Sequence, residues 1–184
     1  AQGLFRLGDK NILIDAGPDI RQQSIKYGIE TVDAILITHY HEDHIGGFDD
    51  LRGFYFTGGR KPIPVYLSEN SYEMIAMRFG YLLERFEFIK LDDHTGTFDV
   101  CGEKFSYFAY EQGSVPVLGF RHETAAYLTD VKSFDEKIFD WLSGVENLVV
   151  SALNFKGSHM HLSLDEACAF GKRAGAENTY IIHV

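Results

Sequence analysis

The sequence predicts an α/β fold in which helices cover layers of β-sheet, and three observations support this prediction. Short apolar runs bounded by turn residues recur along the chain, as is typical of strands. Helical patterns lie between these runs, so strands and helices alternate over the whole length. With 184 residues, of which 45% are hydrophobic and 24% charged, the chain suits one folded domain over residues 1–184.

The strands are predicted from apolar runs of three to five residues, some of them buried on both faces. These runs lie at residues 11–14, 34–37, 63–67, 104–108, 117–120, 125–128, 148–150 and 179–182. Two helices are predicted at residues 19–27 and 69–79, because a glycine follows each pattern, and another begins near His44.

Two further helices are predicted from capping boxes. Ser133-x-x-Glu136 precedes residues 137–142, and Ser163-x-x-Glu166 precedes residues 167–174, which end at Gly175. In each case the serine and the glutamate can satisfy free backbone N–H groups of the first helical turn. We therefore expect a helix to begin at each of these serines.

The composition restricts the class of partner. The net charge is −10 and the pI is near 5.2, which argues against nucleic acid as a partner, because clustered Lys and Arg provide most of that affinity. No apolar run approaches the roughly 20 residues of a membrane span, and no secretory leader opens the sequence, so we expect a cytoplasmic protein. The first residue is not Met and the last follows a strand pattern, so we expect elements to be missing at both ends.

The strongest chemical signal follows the apolar run 34–37. His39, His41, Asp43 and His44 place four potential metal ligands within six residues. In extended backbone, residues i and i+2 point the same way, so His39 and His41 can meet one cation, while the turn into a helix directs Asp43 and His44 toward a second. Imidazole and carboxylate ligands suit zinc or manganese, and iron also fits.

This motif resembles the signature His-x-His-x-Asp-His of the metallo-β-lactamase fold. Three other stretches agree with that fold in order and spacing: Ile14-Asp15-Ala16-Gly17, Tyr127-Leu128-Thr129-Asp130 and Tyr180-Ile181-Ile182-His183. The resemblance covers nearly the whole chain. It implies a four-layer αβ/βα sandwich with two divalent metal ions.

Within that superfamily, one branch resembles the chain most. It contains the phosphodiesterase of phosphonate degradation, which opens a ribose cyclic phosphate, and it is more distantly similar to the tRNA 3′-processing endonucleases. Dimers are common in this branch, so a homodimer is compatible with the resemblance, although no residue pattern indicates an interface. The stretches that carry the likeness begin at Phe48, Pro62, Pro116 and His161.

The resemblance assigns a metal ligand set residue by residue. It implies that His39 and His41 bind the first ion, that Asp43, His44 and His183 bind the second, and that Asp130 bridges both. It gives Asp15 a different role, in which the carboxylate orients a ligand imidazole instead of binding metal.

One expected ligand is missing. The branch places a third histidine for the first ion where this sequence has Glu111-Gln112-Gly113. Three explanations stay open: Gln112 or Glu111 coordinates instead, His122 substitutes, or the first site is weakened. For His122, an ordinary turn between two strands is the favoured interpretation.

The resemblance implies that His161 protonates the leaving oxygen. We expect that two bound ions would activate a shared water for attack on phosphorus, and that Asp43 would accept its proton as well as bind metal. Because the surface is acidic, we expect a small phosphodiester, such as a cyclic nucleotide or a ribose cyclic phosphate, and Arg60 and Lys61 could bind a terminal phosphate.

Two alternatives remain open. One is a metal-binding, non-hydrolytic protein like the carrier-like branch in pyrroloquinoline quinone biosynthesis, which Gln112 favours and His161 disfavours. The other is a thioester or lactam hydrolase, which keeps the metals and changes the substrate.

Overall fold

The computed structural model describes residues 2–92, 94–153, 155 and 158–183. The chain divides into two compact units, residues 1–92 and 93–184, and each unit contains one β-sheet with helices. The prediction of a mixed α/β fold is therefore confirmed. The assignment of all 184 residues to one domain stays a prediction.

The first unit contains a five-stranded sheet in the order β1-β2-β3-β4-β5. β1 pairs antiparallel with β2, and the other neighbours pair in parallel, so the carboxyl ends of β2, β3, β4 and β5 meet at one edge. A core of buried apolar side chains joins the sheet to its helices. The elements are β1 (Gly3–Leu7), β2 (Lys10–Ile14), α1 (Ile20–Tyr27), β3 (Ala34–Leu36), α2 (Glu42–Ile45), α3 (Arg52–Thr57), β4 (Ile63–Ser68), α4 (Glu69–Phe79) and β5 (Phe86–Leu91).

The second unit contains a six-stranded sheet in the order β11-β10-β9-β8-β7-β6. β9, β10 and β11 are parallel, and β8 runs antiparallel to β9 and β7. The carboxyl ends of β7, β9, β10 and β11 therefore lie at one edge. The elements are β6 (Gly96–Val100), β7 (Glu103–Gln112), β8 (Val115–His122), β9 (Ala125–Leu128), α5 (Ile138–Trp141), β10 (Asn147–Ser151), α6 (Leu164–Ala174) and β11 (Asn178–Ile182).

All the predicted strands are present, and the described residues contain three more. The additional strands are β1, β5 and β6, and each lies at an edge of its sheet. Charged or polar residues interrupt their apolar residues, as in Phe86-Glu87-Phe88, so none of the three contains a continuous apolar run of the predicted kind. Among the described residues, no helix is both long enough and apolar enough to cross a membrane.

The capping-box predictions have opposite outcomes. At α6 the prediction is confirmed: Ser163 Oγ accepts the Glu166 N–H at 3.2 Å, and the Glu166 carboxylate accepts the Ser163 N–H at 2.7 Å. The helix predicted at residues 137–142 is present as α5, but the cap predicted at Ser133 is wrong, because α5 begins only at Ile138 and Ser133 forms an isolated β-bridge.

Neighbouring side chains explain the second outcome. Asp135 Oδ1 accepts the Lys137 N–H at 2.9 Å, and the Glu136 carboxylate pairs with Arg173 on α6. Because Glu136 is engaged by α6, it does not reach back toward Ser133. The helices predicted at residues 19–27 and 69–79 correspond to α1 and α4, and α2 begins at Glu42.

Candidate metal centre

The first unit holds a cluster of four potential ligands directly after β3. His39 Nε2 lies 3.0 Å from His41 Nδ1, and His44 Nε2 lies 2.9 Å from an Asp43 carboxylate oxygen. The ring centroids of His39 and His44 are 4.2 Å apart. His39 and His44 are fully buried, whereas the Asp43 side chain is 51% exposed. The structure thus brings together all four residues that the motif predicts.

Asp15 fixes the orientation of two of these residues. It follows β2 and is fully buried, with one carboxylate oxygen 2.7 Å from His44 Nδ1. The same carboxylate accepts the Thr38 N–H at 2.8 Å and the Thr38 hydroxyl, and the hydroxyl oxygen lies 3.0 Å from His39 Nδ1. Because a carboxylate only accepts, the proton of the neutral His44 ring belongs on Nδ1, which leaves the Nε2 lone pair for a cation.

The backbone around this cluster is tightly packed, which explains its glycines. A Cβ at Gly47 would lie 2.2 Å from the Gly17 carbonyl oxygen, and one at Gly17 would lie 2.8 Å from the Asp43 carbonyl oxygen. Asp15 adopts a left-handed conformation with φ of 59°. Such strain persists where surrounding contacts over-determine the backbone, as the Thr38 and His44 contacts do here.

The second unit holds another cluster at the edge where β9 and β11 end. Asp130 is 1% exposed, and one of its carboxylate oxygens lies 2.9 Å from His161 Nδ1 and 3.9 Å from His183 Nε2. The rings of His161 and His183 stack with centroids 5.4 Å apart. Asp130 and His183 have left-handed φ angles of 54° and 65°. The structure therefore brings together the predicted residues of this unit.

Residues without a recognisable sequence signal hold Asp130 in place. Ser151 Oγ at the end of β10 accepts the Asp130 N–H at 2.6 Å. Tyr110 on β7 donates its hydroxyl to the Thr129 carbonyl and accepts the Thr129 N–H at 3.1 Å. Both contacts come from strands distant in sequence, so local patterns could not have indicated these roles.

The three residues considered for the missing ligand lie in different places. Gln112 is 3% exposed, and its Nε2 lies 3.3 Å from His161 Nε2. Glu111 is exposed. His122 lies 3.2 Å from Glu103 at the other end of β8, seven residues or roughly 23 Å from the end beside Gln112. Of the three, only Gln112 is both buried and in contact with the Asp130 cluster.

Arg60 and Lys61 are not brought to either cluster by the sheet topology. Both are exposed and precede the amino end of β4, whereas the histidine cluster follows the carboxyl end of the parallel neighbour β3. Arg60 also lies over the ring of Phe56, with 5.7 Å to the centroid. Their role in substrate binding stays a prediction.

Each cluster fits a divalent cation in the chemistry of its donors. Nitrogen and carboxylate oxygen atoms converge in both, and these donors suit zinc, manganese or iron. Two imidazole nitrogens as close as those of His39 and His41 are stabilised more when both bind a cation than when none is present. Each unit therefore presents donor types that a divalent cation requires.

Comparison with known proteins identifies the family. Residues 10–184 match the family described as "Beta-lactamase superfamily domain". This chain belongs to that superfamily. The metallo-β-lactamase resemblance is therefore confirmed, and members of this fold family are mostly metal-dependent hydrolases.

Curated relatives of this superfamily member are longer than the chain. An octanoyltransferase of Porphyromonas gingivalis is 30% identical over 183 residues, which is 95% of this chain and 37% of that protein. Anti-Pycsar protein Apyc1 of a Paenibacillus species is 42% identical over 73 residues, 38% of this chain and 29% of that protein. The chain thus spans well under half the length of these relatives.

A solved structure agrees with the predicted branch. A diphosphatase from the PhnP family superimposes with a TM-score of 0.91 at 31% identity, covering 98% of this chain and 70% of that one. Human tRNase Z, short form, gives a TM-score of 0.77 at 19% identity and covers 98% of this chain and 84% of that one, which shows a shared fold.

Proposed function

We propose that this protein is a metal-dependent phosphodiesterase that hydrolyses small phosphodiesters. The observation that carries the proposal is the buried histidine and aspartate cluster in each unit, built at strand ends as the branch pattern requires. The 31% identity to a diphosphatase of the PhnP family supports cleavage of a phosphorus–oxygen bond.

The ligand residues follow the predicted set. His39, His41, Asp43 and His44 bind metal in the first unit, and Asp130 and His183 do so in the second. Two bound zinc or manganese ions would supply an activated water and neutralise charge on the phosphoryl oxygens. Within the first unit, the Asp15 carboxylate keeps the proton of His44 on Nδ1, so that Nε2 faces the ion.

His161 supplies the proton that the leaving oxygen needs. Its Nδ1 lies 2.9 Å from Asp130, so we assign the transferred proton to Nε2, which points away from that carboxylate. In the neutral ring this nitrogen accepts the Gln112 amide N–H at 3.3 Å, so His161 acts as the acid when both ring nitrogens are protonated and the leaving oxygen has displaced the amide. Asp43, half exposed beside His44, accepts the proton of the attacking water.

The acidic surface supports a small substrate. With 17 Lys and Arg against 27 Asp and Glu, the chain lacks the positive charge that a polynucleotide requires. A cyclic nucleotide or a ribose cyclic phosphate presents one phosphodiester without extending over that surface. We leave Arg60 and Lys61 out of the proposed site, because they precede the amino end of β4.

A substrate panel tests the proposal. We expect the metal-loaded protein to hydrolyse an aryl phosphodiester and a ribose cyclic phosphate faster than a thioester or a short RNA. The substitution His161→Asn should lower turnover of an alkyl phosphodiester by about 10²–10⁴-fold and turnover of a nitrophenyl diester much less, because nitrophenolate leaves without a proton. His159→Asn, at an exposed histidine nearby, is the matched control.

The presence of Gln112 where the branch has a metal-binding histidine favours a non-hydrolytic, carrier-like function as the second candidate. If the protein binds metal but hydrolyses no member of the panel, the carrier-like function replaces the phosphodiesterase. Turnover of the thioester alone would instead support a thioester hydrolase.

A further inference from the structure

We propose that Gln112 binds a metal ion through its carbonyl oxygen, and that this ligand shifts the site from zinc toward manganese. The proposal rests on the proposed function, because Gln112 occupies the sequence position where the branch has a metal-binding histidine. It goes further in assigning a ligand and a metal preference that this family pattern does not contain.

The Gln112 side chain is buried and contacts His161. The residue is 3% exposed at the carboxyl end of β7, the sheet edge from which Asp130 also projects. Its amide nitrogen lies 3.3 Å from His161 Nε2, and an amide nitrogen can only donate, so His161 Nε2 is the acceptor. This contact turns Oε1 away from His161.

Oε1 is a buried acceptor that needs a partner. Within residues 2–92, 94–153, 155 and 158–183, no group donates a hydrogen bond to it. A buried amide oxygen without a partner loses its hydrogen bonds to water and gains none, so such atoms are rare in native proteins. A cation satisfies this oxygen at the position where the branch places a metal-binding imidazole.

The change of ligand type has a chemical consequence. Imidazole suits zinc, whereas carbonyl and carboxylate oxygens suit manganese and magnesium. The carboxamide is also a neutral, weaker ligand than imidazole. The affinity of the site for zinc should therefore fall more than its affinity for manganese.

Metal binding without substrate tests this inference. Dissociation constants for Zn²⁺ and Mn²⁺ are measured by chelator competition on the full chain, with metal content by elemental analysis. The variants are Gln112→His, Gln112→Glu and Gln112→Ala. Gln22→His, which adds an imidazole at an exposed position on α1, is the matched control.

We expect Gln112→His to raise the ratio of zinc to manganese affinity by about tenfold or more. Gln112→Ala should weaken manganese binding by about tenfold, Gln112→Glu should retain it, and Gln22→His should change neither constant beyond about twofold. If Gln112→Ala does not fold, the other two variants decide.

Equal effects of Gln112→His on both metals, or unchanged manganese binding in folded Gln112→Ala, would overturn the inference. Those results would leave the phosphodiesterase proposal standing, since the wild-type protein would still bind metal. A wild-type protein that binds neither metal would instead overturn the proposed function.

Discussion

The substitution Asp15→Asn tests how the structure prepares His44 for metal. Asp15 is fully buried, and one of its oxygens lies 2.8 Å from the Thr38 hydroxyl and 2.7 Å from His44 Nδ1. Asparagine keeps the shape and tolerates the left-handed φ of 59°, but it turns one of the two acceptor oxygens into a donor. The substitution therefore changes the hydrogen bonding with little change in volume.

The expected magnitude follows from these contacts. The Thr38 hydroxyl can rotate to accept from the new amide, whereas His44 Nδ1–H would face a donor. The His44 proton therefore moves to Nε2 and Nδ1 accepts from the amide, so a neutral hydrogen bond replaces a charge-assisted one at a cost of about 1 kcal/mol of unfolding free energy. Protonated Nε2 has no lone pair for an ion. Zinc affinity should fall by about 10–100-fold.

Two measurements check this prediction. Urea unfolding of the metal-free protein gives the stability change, and competition with a zinc chelator gives the affinity change. Asp9→Asn, which alters an exposed carboxylate beside Lys10, is the matched control and should change neither quantity measurably. Wild-type zinc affinity in a folded Asp15→Asn protein would refute the assignment of the His44 proton to Nδ1.

Three further predictions concern helix capping, backbone packing and metal. Ser163→Ala should cost about 1 kcal/mol and lower Tm by about 2–4 °C in a thermal melt, whereas Ser133→Ala should leave Tm unchanged, since Ser163 caps a helix and Ser133 does not; equal effects would contradict the cap assignment. Gly47→Ala should cost about 1–3 kcal/mol in urea unfolding, because its Cβ meets the Gly17 carbonyl oxygen, and Gly53→Ala, where nothing lies within 4 Å, should be neutral or stabilising. Removal of bound metal by a chelator should lower Tm. At a free metal concentration 100 times the dissociation constant, the lost unfolding free energy is about 2.7 kcal/mol. An unchanged Tm by calorimetry would argue against metal binding in the folded state.

Local patterns were sufficient for features whose contacts lie close in sequence. The spacing of His39 to His44 predicts one cluster, because the strand end and the following turn keep those side chains close, although Asp15, which follows β2, orients two of them. The capping box at Ser163 and the buried strands were predicted for the same reason. The family pattern added Asp130 and His183, which are far apart in sequence and lie at the ends of parallel strands.

Only the tertiary structure decided the remaining features, because they depend on which distant segments pair. Ser133 has the same local pattern as Ser163, yet Glu136 is drawn to Arg173 and the cap does not form. Edge strands such as β5 lack a continuous apolar run, since Glu87 and Lys90 interrupt it. Likewise, the sequence leaves both Gln112 and His122 open as substitutes for the missing ligand, and of the two the register of β7 with β8 places only Gln112 beside His161. The sequence by itself determined which metal-binding side chains are available, and strand pairing determined which of them contact each other, because strands distant in sequence must pair before their ends meet.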